Sequence, residues 1–340
     1  MNKELHEGRL LDAKGNLVEA GYSTSLIKTY SRKDIKGNKL RIKEWDYYYV
    51  GDKEYGIALT IDDNSYMGLV SLSILDFKEG KEILTKSPMY WFPLGRVGLP
   101  SSSKEGNIVK EGNGYSFKFL HEGNKRRLIC KMKDALPKKD FVCDIYLEES
   151  NPNYMVIATP FKKKRHFYYN QKINLLKASG YFSFGYKKHE FKEGSYGTLD
   201  WGRGVWTYFN TWFWSSANGE VDNTPIGWNL GYGFGDTSAA SENMLFVGDK
   251  AYKLDDVTFN IPQKNKKDSF LEEWSITSQS GDINLTFKPL FDRKSNTNAL
   301  LIQSDQHQVF GYFNGSFKAN GKEIRIKDIL GFAEKVKNRW

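Results

Sequence analysis

Cysteine, proline and histidine are scarce in this chain, with two, nine and five residues among 340. Two cysteines are too few for the disulfide framework of a small secreted domain. Cys130 and Cys143 lie in apolar, strand-like surroundings and could face each other across a hairpin. Without a secretory signal they read as two reduced, partly buried thiols. No two histidines have metal-ligand spacing with Asp, Glu or Cys, so no metal is expected. Residues 1–15 are charged and lack the apolar stretch of a signal peptide, and no run of about 18 apolar residues occurs, which excludes a helical membrane span. A cytoplasmic protein is the expectation. A Walker loop and a Rossmann fingerprint are also missing, because Gly231-Tyr-Gly-Phe-Gly235 has no following helix, and no local signature supports a nucleophile triad. No cofactor is therefore expected.

Aromatic residues, by contrast, make up 15% of the chain and glycine contributes 31 residues, while no long window repeats apolar residues at helical spacing. These features predict an all-β protein. The length allows one large or two medium domains with a sizeable core. A formal charge of +9 would suit a nucleic-acid partner if it were concentrated, but the basic residues are scattered and no recognised module accompanies them, so nucleic acid is excluded. The charged joint at residues 160–165 divides the chain into residues 1–165 and 166–340, each about the size of a small barrel. The Pro-bounded aromatic segment 88–93 reads either as a loop over a pocket mouth or as a plug at one end of a barrel.

Residues 197–243 carry most of the aromatic weight. Residues 205–215 alternate in period two, and Trp206, Tyr208, Trp212 and Trp214 share parity if the strand is unbroken, forming an aromatic wall. Residues 226–234 alternate as well, with Gly227, Gly231 and Gly233 on one side, a face open to close approach.

The same stretch holds the candidate chemistry. Asp200 is the first candidate. Beside Trp201, Trp206 and Trp212 a carboxylic acid would be desolvated and stay protonated near neutral pH, ready to protonate an alkene or a leaving group; an Asp ahead of Gly-x-Gly equally serves as a turn former. Arg203 reads as a clamp for a substrate anion or as the structural salt-bridge partner of Asp200, two roles that conflict. Glu242 would be the water-activating base, or a carboxylate holding backbone amides at a barrel rim. Trp206, Trp212, Trp214, Trp228 and Tyr232 could stabilise a carbocation by roughly 0.5 to 2 kcal/mol each, stack on a sugar, or fill a core. Trp201 and Tyr208 complete the aromatic set, and Asn229 and Asn243 would orient polar substrate groups.

Several motifs in order carry a resemblance: Lys43-Glu-Trp-Asp-Tyr-Tyr48, His166-Phe-Tyr-Tyr-Asn-Gln-Lys-Ile-Asn174, Asp200-Trp-Gly-Arg-Gly204, Trp212-Phe-Trp214, Asn229-Leu-Gly-Tyr-Gly233, Glu242-Asn243 and Gly331-Phe-Ala-Glu-Lys-Val-Lys-Asn-Arg-Trp340. Nearly end to end the chain resembles the bacterial family labelled domain of unknown function 2804. That family is distantly similar to lipocalin-like hydratases of the carotenoid 1,2-hydratase type. The resemblance implies two lipocalin-like antiparallel β-barrel halves, the second carrying the site. The function expected is a hydratase or isomerase acting without a cofactor on a largely apolar or amphipathic small molecule. A glycan-binding protein or glycosidase and a lipid or terpenoid carrier are the alternatives, and both a monomer and a homodimer fit.

Overall fold

A computed structural model describes residues 2–299 and 302–340. The fold is all-β, as the composition predicts, and the described residues contain no α-helix, only two short 3-10 turns. The strand-like run that the sequence shows at residues 300–304 begins outside the described residues, and a strand starts at Ile302.

Seven strands position the site: β1 (Ile42–Gly51), β2 (Phe167–Phe184), β3 (Tyr196–Val205), β4 (Phe209–Val221), β5 (Thr224–Tyr232), β6 (Ile302–Ala319) and β7 (Lys322–Arg339). The first three lie at the centre of a 14-stranded antiparallel sheet, in the order β1-β3-β2. This sheet curls on itself, so that Lys86, near one edge, donates to the carbonyl of Asp134 on a distant strand at 2.6 Å. The other four belong to a nine-stranded sheet in the order β5-β4-β7-β6. The chain passes from one sheet to the other at residues 206–208, downstream of the 160–165 joint, and β2 and β3 both belong to the first sheet.

Each half has its own core. Leu199, Trp201 and Val205 of β3 and Tyr169 of β2 pack into the first, whereas Trp228 and Leu230 of β5 pack with Phe313 and Phe317 of β6 in the second. The N-terminal arm contributes Leu5, Leu10 and Leu11 to the first core. Cys130 and Cys143 stand directly opposite each other on neighbouring strands, both buried and both free thiols. The aromatic segment near residue 90 forms a short edge strand, Met89–Trp91, with Trp91 and Phe92 exposed. The chain beyond it fills the first half, where Arg203 donates to the Pro100 carbonyl and Ser103 hydrogen-bonds Gln171.

Side chains on a strand alternate between faces, and here both faces of the central strands are covered. All ten residues of β3 are buried. One parity serves the first core and the other meets the second sheet. Two separate aromatic groups seal this meeting face. Tyr168, Trp206 and Phe234, with Trp45, Trp212 and Trp340 against them, form one, while Tyr49, Phe77, Trp214, Phe291, Phe310 and Phe332 form the other.

Candidate active site

Two rows of cross-strand partners face each other between these aromatic groups. In the first sheet, Lys172 of β2, Asp200 of β3 and Tyr47 of β1 stand side by side in register. In the second, Gly231 of β5, Trp214 of β4, Glu334 of β7 and Gln308 of β6 do the same. Polar residues at this depth need partners, and the two rows supply most of them.

Asp200 Oδ1 lies 2.9 Å from Lys172 Nζ and accepts a 2.6 Å hydrogen bond from Asn170 Nδ2. The same ammonium sits 3.6 Å above the Trp214 ring. Trp214 donates its indole N–H to Asn229 Oδ1 at 2.6 Å, and Asn229 in turn donates to Glu242 Oε2 at 3.3 Å and to the Glu242 carbonyl at 2.8 Å. Glu334 accepts from Trp212 Nε1 at 2.8 Å through one oxygen and from Gln308 Nε2 at 3.0 Å through the other. Gly231 keeps room for Glu242, because a Cβ there would fall 2.5 Å from Oε1. Three carboxyl groups and the Lys172 ammonium therefore converge in an enclosed, largely aromatic setting, and Glu242 and Glu334 also feel the charges of Lys253 and Arg293 respectively.

Burial, more than charge, sets the protonation. Burial raises the carboxyl of Glu334 to about 7, with the Trp212 hydrogen bond and the Lys172 charge pulling the other way and Asp200 pushing up. Burial raises Glu242 too, against Lys172 and Asn229, and Asp200 again pushes in the same direction. The Tyr168 phenol is held well above its ordinary value by burial and by the charges of Asp200, Glu242 and Glu334. At neutral pH the cluster thus keeps protons it can donate. Among the described residues no group of three or more His, Cys, Asp or Glu is arranged to hold a metal ion.

Of the residues singled out from the sequence, the structure brings together Asp200, Glu242, Trp212, Trp214 and Asn229, with Trp206 in the adjoining aromatic group 5.9 Å from Trp212. It separates the others. Arg203 points into the first half, ion-paired with Asp46 at 2.9 Å and stacked 4.2 Å over Trp201, so it pairs with Asp46 rather than Asp200. Trp201 faces the same way, on the opposite side of β3 from Asp200. Trp228 and Tyr232 turn into the second half against Phe313 and Phe213. Asn243 holds backbone, accepting from the Gly231 amide and donating to the Asp255 carbonyl. Tyr208 lies at the surface where the chain changes sheets, under the Arg41 guanidinium. The aromatic wall is thus broken at residues 206–208, because the chain leaves one sheet there and enters the other.

Lys172, Glu334, Gln308 and Tyr168 are the members that sequence reasoning missed. Lys172 and Tyr168 lie inside the His166-to-Asn174 motif and Glu334 inside the Gly331-to-Trp340 motif. Membership of these motifs was the available signal. A cleft of about 380 Å³ opens at the ends of β4, β6 and β7, lined by Phe209, Asn210, Thr211, Gln303, Lys337, Asn338 and Arg339. Its Asn210–Asn338 pair lies four residues along the ladder from Trp214–Glu334, roughly 14 Å at about 3.4 Å per residue.

The family described as Domain of unknown function (DUF2804) matches residues 2–340. No curated protein matches the sequence. Among solved structures, a protein from Nitrosomonas europaea assigned as AttH superposes with a TM-score of 0.53 at 11% identity, covering 93% of this chain and 98% of that one. Kievitone hydratase from Nectria haematococca superposes with a TM-score of 0.50 at 11% identity, covering 98% of both chains. At this identity the likeness is one of fold.

Proposed function

The chain belongs to the DUF2804 family, and from that premise and the geometry of the buried cluster we propose an enzyme that works without a cofactor. It adds water to a largely apolar small molecule, removes it, or isomerises the molecule by proton transfer. The observation that carries this reading is the convergence of Asp200, Glu242 and Glu334 on the Lys172 ammonium, with burial holding Glu334 near neutrality. Glu334 is the general acid. Asp200, ion-paired with Lys172, is the proton acceptor, Glu242 is the second proton store, and Arg203 is structural. In the hydration direction Glu334 gives its proton to one alkene carbon, the neighbouring carbon becomes electron-poor, and water bonds to it while Asp200 takes the water proton. Return of that proton to Glu334 resets the site, so the net change is addition of one water. The faces of Trp212, Trp214 and Tyr168 stabilise the developing positive charge, by about 0.5 to 2 kcal/mol each.

The fold shared with kievitone hydratase supports a small-molecule reading. Burial of the acids argues against the glycan alternative, which calls for an open polar cleft. A cytoplasmic location accompanies the proposal, since Cys130 and Cys143 face each other as free thiols.

The test is to purify wild type, Asp200→Asn and Glu334→Gln and identify the small molecules each retains by mass spectrometry. An apolar molecule held by the variants and converted by wild type is the expected result. One molecule held unaltered by all three would make the protein a carrier. With the substrate in hand, kcat/KM should fall as pH rises through about 7, where Glu334 loses its proton, and a rate flat across that range would remove Glu334 as the acid.

A further inference from the structure

Alternation on β1 sends Lys43, Trp45 and Tyr47 to one face, the face that meets the second half, and Arg41, the last residue of the short 3-10 turn before β1, reaches the Trp206 carbonyl. Tyr47 is in register with Asp200. Lys43 lies four residues from Tyr47, roughly 14 Å along the strand at about 3.4 Å per residue. The end of the face near Lys43 holds an unusual surplus of donors.

Lys43 is completely buried, and its ammonium makes one long hydrogen bond, 3.5 Å to the Asn64 carbonyl. It is held between two rings, 4.2 Å from the centre of Tyr66 and 4.4 Å from that of Trp340. Arg41 uses Nε on the Trp206 carbonyl at 3.1 Å, while its Nη2 is buried without a protein acceptor. The Tyr66 hydroxyl and the Trp206 indole N–H, both in the same neighbourhood, are buried without a partner as well. Neither Arg41 nor Lys43 forms an ion pair among the described residues. Burial and the nearby Arg41 charge bring the Lys43 amine down to about 7, with Asp62 and Asp63 acting the other way. Two basic groups without an ion pair and two neutral donors without an acceptor form a costly arrangement in a protein interior. A bound anion would answer all four.

We infer that Arg41, Lys43, Tyr66 and Trp206 form the binding site for the carboxylate of an amphipathic acid whose apolar body runs along β1, past Trp45, towards Asp200. The inference deepens the reading proposed above, since it specifies the polar end of the substrate. A carboxylate accepts from four donors at once and gains charge assistance from two of them. The packed aromatic cluster of Trp45, Tyr168, Trp206, Phe234 and Trp340 makes this region apolar.

Dodecanoate and dodecan-1-ol, which differ only at the head group, are the probes. Their affinities are read from quenching of tryptophan fluorescence in wild type, Lys43→Met, Lys43→Arg and Arg41→Met, with circular dichroism and the urea midpoint confirming that each variant is folded. Wild type should bind the acid at least tenfold more tightly than the alcohol. Lys43→Met and Arg41→Met should each erode that preference, and Lys43→Arg should keep most of it. Equal binding of acid and alcohol by wild type, no binding of either, or a preference that survives both Met variants would overturn the inference. The readout is independent of turnover: a preference seen in a protein that converts nothing would leave this site standing and make the protein a carrier.

Discussion

Arg203 and Lys172 occupy neighbouring strands yet do opposite things, because parity sends them to opposite faces of one sheet. Arg203 spends its donors on Asp46 and on the carbonyls of Trp45, Pro100 and Gly202, all inside the first half. Arg203→Met should therefore leave Asp46 buried without a counter-charge and lower stability by about 3 to 5 kcal/mol, read as a fall in the urea midpoint. Below that midpoint the acidic cluster should keep its activity, and a loss of turnover in well-folded Arg203→Met would return Arg203 to the site. The motif around Arg203 is plain in the sequence, which offers Asp200 as its salt-bridge partner, whereas the structure pairs it with Asp46. The partner was not legible, since Asp46 lies 157 positions away and is brought near only by the β1–β3 pairing. Glu334 was hidden for the same reason. Its meaning comes from Trp212 and Gln308, which reach it across the β4–β7 and β6–β7 ladders.

Along a strand, alternation is legible and interruption is not. Residues 205–215 carry an unbroken period-two pattern, with no Gly or Pro inside it to announce that the chain changes sheets. Trp212 and Trp214 kept the predicted parity, and Trp206 joined Trp212 by packing across the gap. Tyr208 fell at the crossing and is 36% exposed. Glycine on β3 is similarly ambiguous in sequence. Gly202 reads as a turn residue beside Asp200, whereas it sits mid-strand opposite Trp45, where a Cβ would come 1.9 Å from the indole ring. The ring lies over the glycine and stacks with Tyr168 at 6.1 Å. Gly202→Ala should push Trp45 off this stack and cost about 1 to 3 kcal/mol by overpacking. Trp45 also lines the course assigned to the substrate, so dodecanoate affinity should fall with stability. A variant with an unchanged urea midpoint would show that Trp45 is free to move.

Between its halves the protein buries ionisable groups of both signs, Asp200, Glu242 and Glu334 together with Lys172 and Lys43, and this interior set governs its pH response. The all-β class and the two-part architecture were readable from aromatic and glycine content and from the family resemblance, but this internal charge balance exists only once the two sheets meet. Glu334 ionises near 4.5 in the unfolded chain and near 7 in the folded one. Between those values the folded state holds a proton that the unfolded state has released, so its contribution to stability is full below 4.5 and is lost as pH rises towards 7. A shift of this size corresponds to about 3 kcal/mol. Asp62, raised by burial to about 7, acts in the same sense. His121 and His166, lowered by burial, act against both, because the unfolded chain takes up their protons first. The net slope is thus a sum of opposed effects, and the clean quantity is the difference between wild type and Glu334→Gln, in which the groups remote from Glu334 cancel. Urea unfolding of both at pH 4.5 and pH 7.5 should show wild type losing stability relative to the variant by about 2 to 3 kcal/mol on going to the higher pH. A difference that does not move with pH would mean that Glu334 ionises alike in the folded and unfolded chain, and that the acid proposed for the reaction lies elsewhere in the cluster.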